Sequence, residues 1–433
     1  MSFKLTTLAV AIAMAMAAAA TQAAALEDIF SVRGYATVGL THADEDQADF
    51  TSNFYTQPQG AGASDDLSFD VDSKFGVQLD INITPRLSGV VQLISESNNN
   101  NSWDGEVNKD YQPSLEWANL SYRVTDNLTV RGGRIVLPFL MISEYRKVGF
   151  ANHWLRAPIE IYGQVPFSAS DGADIAYRSK LGRAINTARV HYGVQSVRTI
   201  TIAKSQVEAA GFNDTLEIGA LTLRAAYMDV HFETPGDGFG GLINPFVGIA
   251  ASLPGGIGSN AAAQAARLRN RFDPALGQDA RLVDLGATYD PGQWFAMAEV
   301  LQQKSSGLLG KTNSGYLSGG YRWHTLTPYA TFAVSKTAAR EDAAIPLAGL
   351  PPPLLGLGGI FNGFLDTTAN LDHSQKTYSL GLRWDLANKF ALKGQYDYID
   401  LDSGSVGLLA NRQPGFVPGG SLNVISVAVD YVF

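Results

Sequence analysis

The sequence of 433 residues contains no cysteine, and only 17% of its residues are charged. Without cysteine, a disulfide framework, a thiolate metal site and thiol chemistry are all excluded. The formal net charge is -9, so the sequence gives no reason to expect nucleic acid as a partner. Glycine is abundant, with 44 residues, and aromatic residues make up 10% of the chain.

Long apolar runs are also missing, apart from one near the N-terminus. Lys4 precedes an apolar, alanine-rich stretch over residues 8–20, and small residues follow at 23–25. This stretch is too short for a transmembrane helix, which needs about 20 residues, and the pattern is typical of a secretory signal peptide. We predict that residues 1–25 are a signal peptide and that residues 26–433 are exported.

The exported part is organised by apolar and polar residues that alternate. Phe30, Val32 and Val38 fall on one face of an extended segment, and Arg33 and Thr37 fall on the other. The same pattern predicts about sixteen strands. The fifteen others lie near 75–83, 87–93, 115–124, 128–135, 172–178, 185–195, 212–220, 221–230, 281–289, 294–302, 314–323, 326–335, 376–385, 389–398 and 422–433.

Two of these strands are difficult. The segment 212–220 alternates weakly, and its boundary with Leu221 rests largely on the need for an even number of strands. Pro328 lies within the apolar face of another, where a closed barrel has no free edge to accommodate a missing N–H donor. A bulge or a later start of that strand is therefore expected there.

Short and long connections between the strands also alternate. The short ones include 125–127, 291–293, 324–325 and 386–388, and the long ones include 43–72, 96–114, 136–171, 233–280, 336–375 and 399–421. This asymmetry is typical of outer-membrane barrels, whose short turns face the periplasm. The aromatic residues beside the short turns fit an interfacial girdle, which a soluble β-sandwich or propeller would not need. They are Tyr289, Trp294, Tyr321, Trp323, Trp384 and Phe390.

The connection at 135–171 is the candidate functional segment. Its first part is apolar and interrupted by Pro138, and its second part spaces charged residues among aromatic ones. Irregular backbone is tolerated at membrane depth only where protein or a water-filled lumen surrounds it, so we predict a loop that constricts a pore. An ordinary outside loop is the alternative. The candidate constriction residues are Glu144, Arg146, Lys147, His153, Arg156 and Glu160.

The strand registers also give candidate pore-wall residues, and these make a modestly basic lumen. Arg123, Arg178, Arg322 and Arg383 lie close to short turns, so we expect them at the periplasmic mouth, out of reach of the loop. The alternative is that each arginine only pairs with a neighbouring carboxylate. The predicted mid-barrel or wall residues are Arg33, Asp80, Arg131, Arg189, Glu299 and Lys393.

The C-terminal segment places Ile425, Val427, Val429, Tyr431 and Phe433 on one face and ends on the aromatic residue. Here the chain resembles the trimeric porins of Gram-negative outer membranes. The resemblance implies a homotrimer with both chain ends at the periplasmic side, a loop after the fifth strand folded into the pore, and contact with outer-membrane lipid and lipopolysaccharide. It also implies that Tyr431 and Phe433 form a signal for the barrel-assembly machinery. The Pro-Glu-Phe-Gly signature of enterobacterial general porins is absent, so no constriction residue is transferred from the family.

The predicted fold is therefore all-β, a transmembrane antiparallel barrel of about sixteen strands with a pore-constricting loop. We expect an outer-membrane porin, a passive water-filled channel for small hydrophilic solutes and ions, with no cofactor. A solute-selective channel for anions or small carboxylates is the alternative. An outer-membrane enzyme is less favoured, because none of the six histidines lies in a Gly-x-Ser-x-Gly or His-Glu-x-x-His motif. An adhesin or receptor would require outside loops that bind a partner.

Two outside loops carry further expectations. Residues 259–271 are rich in alanine and arginine and predict a short helix capped by Ser259 or Asn260. The proline-rich stretch 350–354 is expected to lack regular structure.

Overall fold

The computed structural model describes residues 29–433 except 58, 99–110, 199–203, 237, 306, 308 and 339–341. The predicted signal peptide lies outside the described residues. Within the described part, sixteen long strands form one antiparallel ring. They are β1 Phe30–Ala43, β2 Lys74–Thr84, β3 Leu87–Glu96, β4 Ser114–Arg123, β5 Leu128–Val136, β6 Ala169–Leu181, β7 Ala184–Val197, β8 Ser205–Ile218, β9 Leu221–Glu233, β10 Gln278–Tyr289, β11 Trp294–Ser305, β12 Lys311–Tyr321, β13 Leu326–Thr337, β14 Gln375–Ala387, β15 Phe390–Leu401 and β16 Gly420–Val432.

The ring is closed by β1, which pairs with β2 on one side and with β16 on the other. Its first half is in register with β2, from Phe30 opposite Ile81, and its second half with β16, from Tyr35 opposite Val432. The predicted closed barrel of sixteen strands is thus confirmed. The weakly alternating strand proves long: β8 begins at Ser205 and is paired over its whole length with β7.

Pro328 lies inside β13, paired with Leu382 of β14. The ladder between β13 and β12 begins one residue later, at Tyr329 opposite Gly320. Pro328, which has no backbone N–H to donate, therefore lies one residue before the pairing with β12 starts. β13 itself begins at Leu326, before the proline, so neither the bulge nor the later strand start that was expected is found, and only the pairing with β12 begins after Pro328.

The connections alternate as predicted. Those of two to four residues follow β2, β4, β6, β8, β10, β12 and β14, and the longer ones follow the odd-numbered strands. The six aromatic residues of the proposed girdle are all exposed, from Tyr289 at 41% to Trp323 at 61%. Outward apolar residues such as Val38, Leu285 and Leu380 are exposed as well, as a lipid-facing surface requires. None of the helices in the described residues is both long and apolar enough to cross a membrane.

The described parts of the long connections contain four α-helices: α1 Ile159–Tyr162, α2 Gly240–Ala251, α3 Ser259–Phe272 and α4 Pro352–Phe364. The helix expected near 259–271 is confirmed, but Gly258 precedes it and no side chain caps it. The prediction that residues 350–354 lack regular structure is wrong, because α4 starts at Pro352. Proline is favourable in the first turn of a helix, where its missing N–H would have no partner.

The connection between β1 and β2 is folded onto the connection between β15 and β16. The short strand Asp49–Phe50 pairs with Ala61–Gly62 on one side and with Leu409–Ala410 on the other. Phe50, Leu409 and Leu422 belong to one apolar cluster that also includes Ile159 of α1. This contact ties the first and last long connections to residues 137–168.

The chain between β5 and β6, residues 137–168, supplies one side of the largest apolar core among the described residues. Leu140, Ile142, Trp154 and Ile161 are each no more than 2% exposed. They pack in one cluster with the buried faces of the strands from β7 to β13. We call residues 137–168 the inner segment.

Candidate functional site

The first anchor of the inner segment is Glu299 of β11. Its carboxylate accepts hydrogen bonds from the backbone N–H of Met141, at 2.7 Å, and from the hydroxyl of Tyr162. Arg224 of β9 donates to the carbonyl oxygen of Pro138 nearby. Glu299 is 1% exposed, so it holds the segment instead of lining an open lumen.

The second anchor is Trp154, whose indole is buried against β12 and β13. Its Nε1–H lies 2.8 Å from Ser318 Oγ and 3.1 Å from Thr331 Oγ1. The next backbone N–H, of Leu155, donates to the hydroxyl of Tyr329 at 3.0 Å. A buried tryptophan needs such an acceptor, because an unpaired N–H would cost desolvation energy.

The third anchor is Lys393 of β15, whose side chain is fully buried. Its ammonium donates to the carbonyl oxygens of Gly149, Asn152 and Trp154, each at 2.8 Å. It also lies 2.8 Å from a carboxylate oxygen of Asp430 on β16. Lys393 is therefore bound by the inner segment and does not present a free charge to the lumen.

Arg322 and Arg383 also reach the inner segment, which corrects the expectation that they lie beyond it. Arg383 donates to the carbonyl oxygens of Phe150, at 2.6 Å, and Asn152, at 2.8 Å. Arg322 Nη2 lies 3.4 Å from His153 Nε2. The strand register predicts the position of an arginine on the barrel wall. It does not predict how close the backbone of residues 149–153 comes to that arginine.

His153 is part of this contact. Its ring stacks on Phe295 with 3.9 Å between the ring centroids. Burial, followed by the nearby guanidinium of Arg322, lowers the pKa of His153 to about 4. His153 is therefore neutral at pH 7 and adds no charge to the inner segment.

Arg156 joins the inner segment to the first long connection. Its guanidinium lies 2.5 Å from a carboxylate oxygen of Asp72 and 3.4 Å from one of Asp397. It also stands 4.6 Å above the centre of the Phe50 ring. Asp72 is 4% exposed and is neutralised by Arg156.

The two carboxylates of the inner segment point to other strands. Glu144 accepts from Arg189 of β7 at 2.8 Å. Glu160 accepts from Gln375 at 2.7 Å and from Thr377, both on β14. Neither carboxylate lines the main cavity described next.

The remaining predicted wall residues pair on the barrel itself. Arg131 of β5 lies 2.5 Å from Asp174 of β6. Arg33 of β1 lies 2.7 Å from Asp80 of β2, and the arginine side chain is 65% exposed. These pairs fit the alternative that wall arginines bind neighbouring carboxylates.

A cavity of about 680 Å³ lies between the inner segment and the strands from β2 to β7. The described lining residues include seven cationic and five carboxylate side chains. They are Lys74, Arg134, Arg146, Lys147, Arg156, Arg198 and Lys204, and Asp70, Asp72, Glu96, Glu116 and Asp171.

Most of these charges are paired. Lys147 lies 2.6 Å from Glu96 and 3.2 Å from Glu116, and thus bridges two carboxylates of β3 and β4. Arg134 of β5 lies 2.7 Å from Asp171 of β6. Glu96 and Glu116 were not selected as site residues in the sequence analysis. Glu116 alternates with the apolar residues of the predicted strand 115–124, and Glu96 lies just beyond the predicted strand 87–93.

Arg146 is the exception within the inner segment. Its guanidinium makes no hydrogen bond or ion pair with any residue that the structure describes, although Glu96 and Glu116 are close enough to act on it electrostatically. Burial lowers the pKa of Arg146, but a guanidinium remains charged at pH 7. Lys74, in register with Glu96 across the ladder, is likewise without an ion-pair partner among the described residues.

The C-terminal residue closes the barrel. Phe433 and Gly34 exchange two backbone hydrogen bonds of 3.0 Å. The Phe433 ring occupies the space above Gly34, where a Cβ atom would meet it at 2.1 Å. Its centroid lies 5.8 Å from that of Tyr431, which stacks on Phe390 at 4.4 Å.

A closed antiparallel barrel with an apolar exterior and a charged interior cavity defines the class of outer-membrane channel proteins. The chain belongs to the Gram-negative porin family, whose model matches residues 7–340. It is accordingly an outer-membrane channel.

Solved structures of similar fold span almost the whole chain. The anion-selective porin from Comamonas acidovorans is 13% identical, with 93% of this chain and 99% of that one covered and a TM-score of 0.52. OmpF of Salmonella typhi, in a complex with daunomycin, is 11% identical, with coverage of 93% and 97% and a TM-score of 0.52. The channel DcaP of Acinetobacter baumannii is 10% identical, with coverage of 94% and 98% and the same TM-score. No curated protein matches the chain.

Proposed function

We propose that this porin is a passive, water-filled channel for small hydrophilic solutes and ions, and that residues 135–171 cross its lumen and narrow it. The observation that carries the proposal is the set of strands that the inner segment contacts. It starts from β5 and hydrogen-bonds to β11, β12, β14 and β15, which lie across the ring. The cavity between this segment and β2 to β7 is therefore the passage that we propose.

The alternative, a channel that prefers anions or small carboxylates, is favoured by the charges along that passage. Seven cationic side chains against five carboxylates leave a surplus of two positive charges among the described lining residues. Rings or rows of one charge are a common basis of selectivity in channels. We therefore propose a mild preference for anions within a general diffusion pore.

Conductance in planar bilayers tests both statements. The purified protein is expected to form open channels in 0.1 M KCl, with a reversal potential in a salt gradient that has the sign of anion preference. Removing residues 144–156 is expected to raise conductance, because this removes the part of the segment beside the cavity. If the shortened protein folds and conducts like its parent, the segment does not narrow the pore.

A shortened loop can also fail to fold, so a second measurement is needed. Arg146→Glu changes the charge of the passage by two without touching an anchor, and it should move the reversal potential towards cation preference. Arg33→Glu makes the same change at the exposed rim and should have a smaller effect. If the two variants shift the reversal potential equally, the passage does not run beside Arg146.

We further propose a homotrimer that contacts lipid and lipopolysaccharide, export by a signal peptide over residues 1–25, and recognition of Tyr431 and Phe433 by the barrel-assembly machinery. The likeness of the C-terminal strand to that of trimeric porins supports these proposals. We propose no enzymatic activity. Cross-linking of the detergent-extracted protein tests the oligomer, and N-terminal sequencing tests the signal peptide.

A further inference from the structure

The inner segment separates its charges between two sides. Its carboxylates, Glu144 and Glu160, bind side chains of β7 and β14 and do not line the cavity. Its cations Arg146, Lys147 and Arg156 all line it. The wall of the passage formed by this segment is therefore cationic.

Two of these three cations are already neutralised. Arg156 is held by Asp72 and Asp397, and Lys147 bridges Glu96 and Glu116. Glu116 has a further donor, because Ser168 donates its hydroxyl hydrogen to Oε1. The wall carboxylates nearest to Arg146 are thus occupied by its sequence neighbour.

Arg146 is left with a partly buried guanidinium that faces the cavity without a protein acceptor among the described residues. A guanidinium has five N–H donors and accepts nothing, so water or a solute must satisfy them. Its fork matches the two oxygens of a carboxylate, which it can bind through two parallel hydrogen bonds. Lys74, which also lines the cavity, adds a second unpaired positive charge near the same carboxylates.

We propose that Arg146 and Lys74 form a binding subsite for the carboxylate group of a small hydrophilic organic acid within the passage. This inference rests on the proposed channel function and names the solute class that the passage holds most strongly. The remaining polar lining, including Gln57, Ser97 and Ser114, supplies hydrogen-bonding groups for the rest of such a solute. Chloride lacks the planar pair of oxygens, so the site distinguishes carboxylates from simple anions.

The test uses the full-length porin in planar bilayers at 0.1 M NaCl, with sodium acetate as the probe at millimolar concentrations. Acetate is expected to reduce the chloride conductance along a saturable curve. Acetamide has almost the same size without the charge, and it should have no saturable effect. If acetamide acts like acetate, or acetate shows no saturation, the subsite is overturned.

Variants locate the effect. Arg146→Gln should raise the half-saturating acetate concentration about tenfold or more, since a charge-assisted hydrogen bond contributes about 1.4 kcal/mol or more, a factor of ten. Arg134→Gln removes the same charge from the cavity lining, but this arginine is already bound to Asp171. It should leave the half-saturating concentration within about twofold. Equal losses in the two variants would mean that only the overall field acts on acetate, which contradicts a subsite at Arg146.

Failure of this inference is separable from failure of the channel function. A porin that conducts chloride but shows no saturable response to acetate keeps the proposed function and loses the subsite. A protein that forms no conducting channel loses the proposed function itself. Lys74→Gln gives an independent check, and an unchanged response to acetate in this variant would remove Lys74 from the subsite.

Discussion

Lys393 shows how a residue predicted for the pore wall becomes part of the packing instead. Three carbonyl oxygens of the inner segment and the carboxylate of Asp430 surround its ammonium. Its register was read correctly from the sequence, because β15 alternates. Its partners in the inner segment could not be predicted, since they are about 240 residues away in the chain.

We expect Lys393→Met to destabilise the barrel by about 3–5 kcal/mol, because Asp430 would remain buried without its cation. The matched control is Arg33→Met, which breaks an ion pair whose arginine is 65% exposed. That pair should contribute only about 0–1 kcal/mol. The measurement is the urea midpoint of the refolded proteins in detergent, and equal midpoints for the two variants would contradict the anchoring role of Lys393.

Glu160 predicts a pH dependence. Burial raises its pKa above the ordinary value of 4.5, and its Oε2 has no hydrogen-bond partner within the described residues. The protonated form is therefore favoured in the folded state. Its contribution to stability is complete below the unfolded-state pKa and is lost as the pH rises through the folded-state pKa.

Glu160→Gln keeps the shape of the protonated side chain and removes this titration. We expect the variant to lose less stability than the parent as the pH rises from about 4 towards neutral. Urea midpoints across that range measure the difference. Glu144→Gln serves as the control, because burial raises the pKa of that carboxylate while Arg189 lowers it, and the pKa of Glu144 is lowered overall. A parent and Glu160→Gln variant with parallel pH profiles would refute the prediction.

At the scale of the element, β1 and β16 meet through Gly34 and Phe433. A side chain at Gly34 would collide with the Phe433 ring, which also packs beside Phe75 with 6.5 Å between the ring centroids. Gly34→Val is therefore expected to lower the yield of folded barrel by displacing the C-terminal ring. Gly394→Val is the control, because a Cβ there meets nothing within 4 Å.

The yield is measured as the heat-modifiable fraction on gels after expression at high level. Deletion of Phe433 should lower it in the same way, without a change in the conductance of the channels that assemble. If Gly34→Val and Gly394→Val give the same yield, the fit of the terminal ring over Gly34 does not govern assembly.

The strands themselves were predictable because each one carries a local period of two, and sixteen such patterns appear in the chain. The weak strand β8 was shortened in the prediction because Ser205, Gln206 and Glu208 do not read as apolar or membrane-facing. Helix α4 was missed because prolines were taken as breakers, although Pro352 occupies the first turn, where proline is tolerated. Side-chain partners within the inner segment were beyond prediction, since they depend on how one loop folds across the ring.

For the whole molecule, we expect the anion preference to decrease as the salt concentration rises past about 0.1 M, where the screening length is roughly 10 Å. The surplus of cationic side chains in the cavity acts through water, and salt screens such charges. Reversal potentials measured at a fixed salt ratio and rising mean concentration check this. A preference that does not change with salt would indicate selection by size instead of charge.

The apolar core under the inner segment has a consequence for the order in which the barrel is built. All the residues of that core lie between Leu137 and Ala333, so none belongs to β1, β2 or the last three strands. The inner segment can therefore pack against β7 to β13 before β1 pairs with β16 and closes the ring. The contacts of the segment with Asp72 and Lys393 involve the first long connection and β15, so they can form only once these parts of the chain are in place.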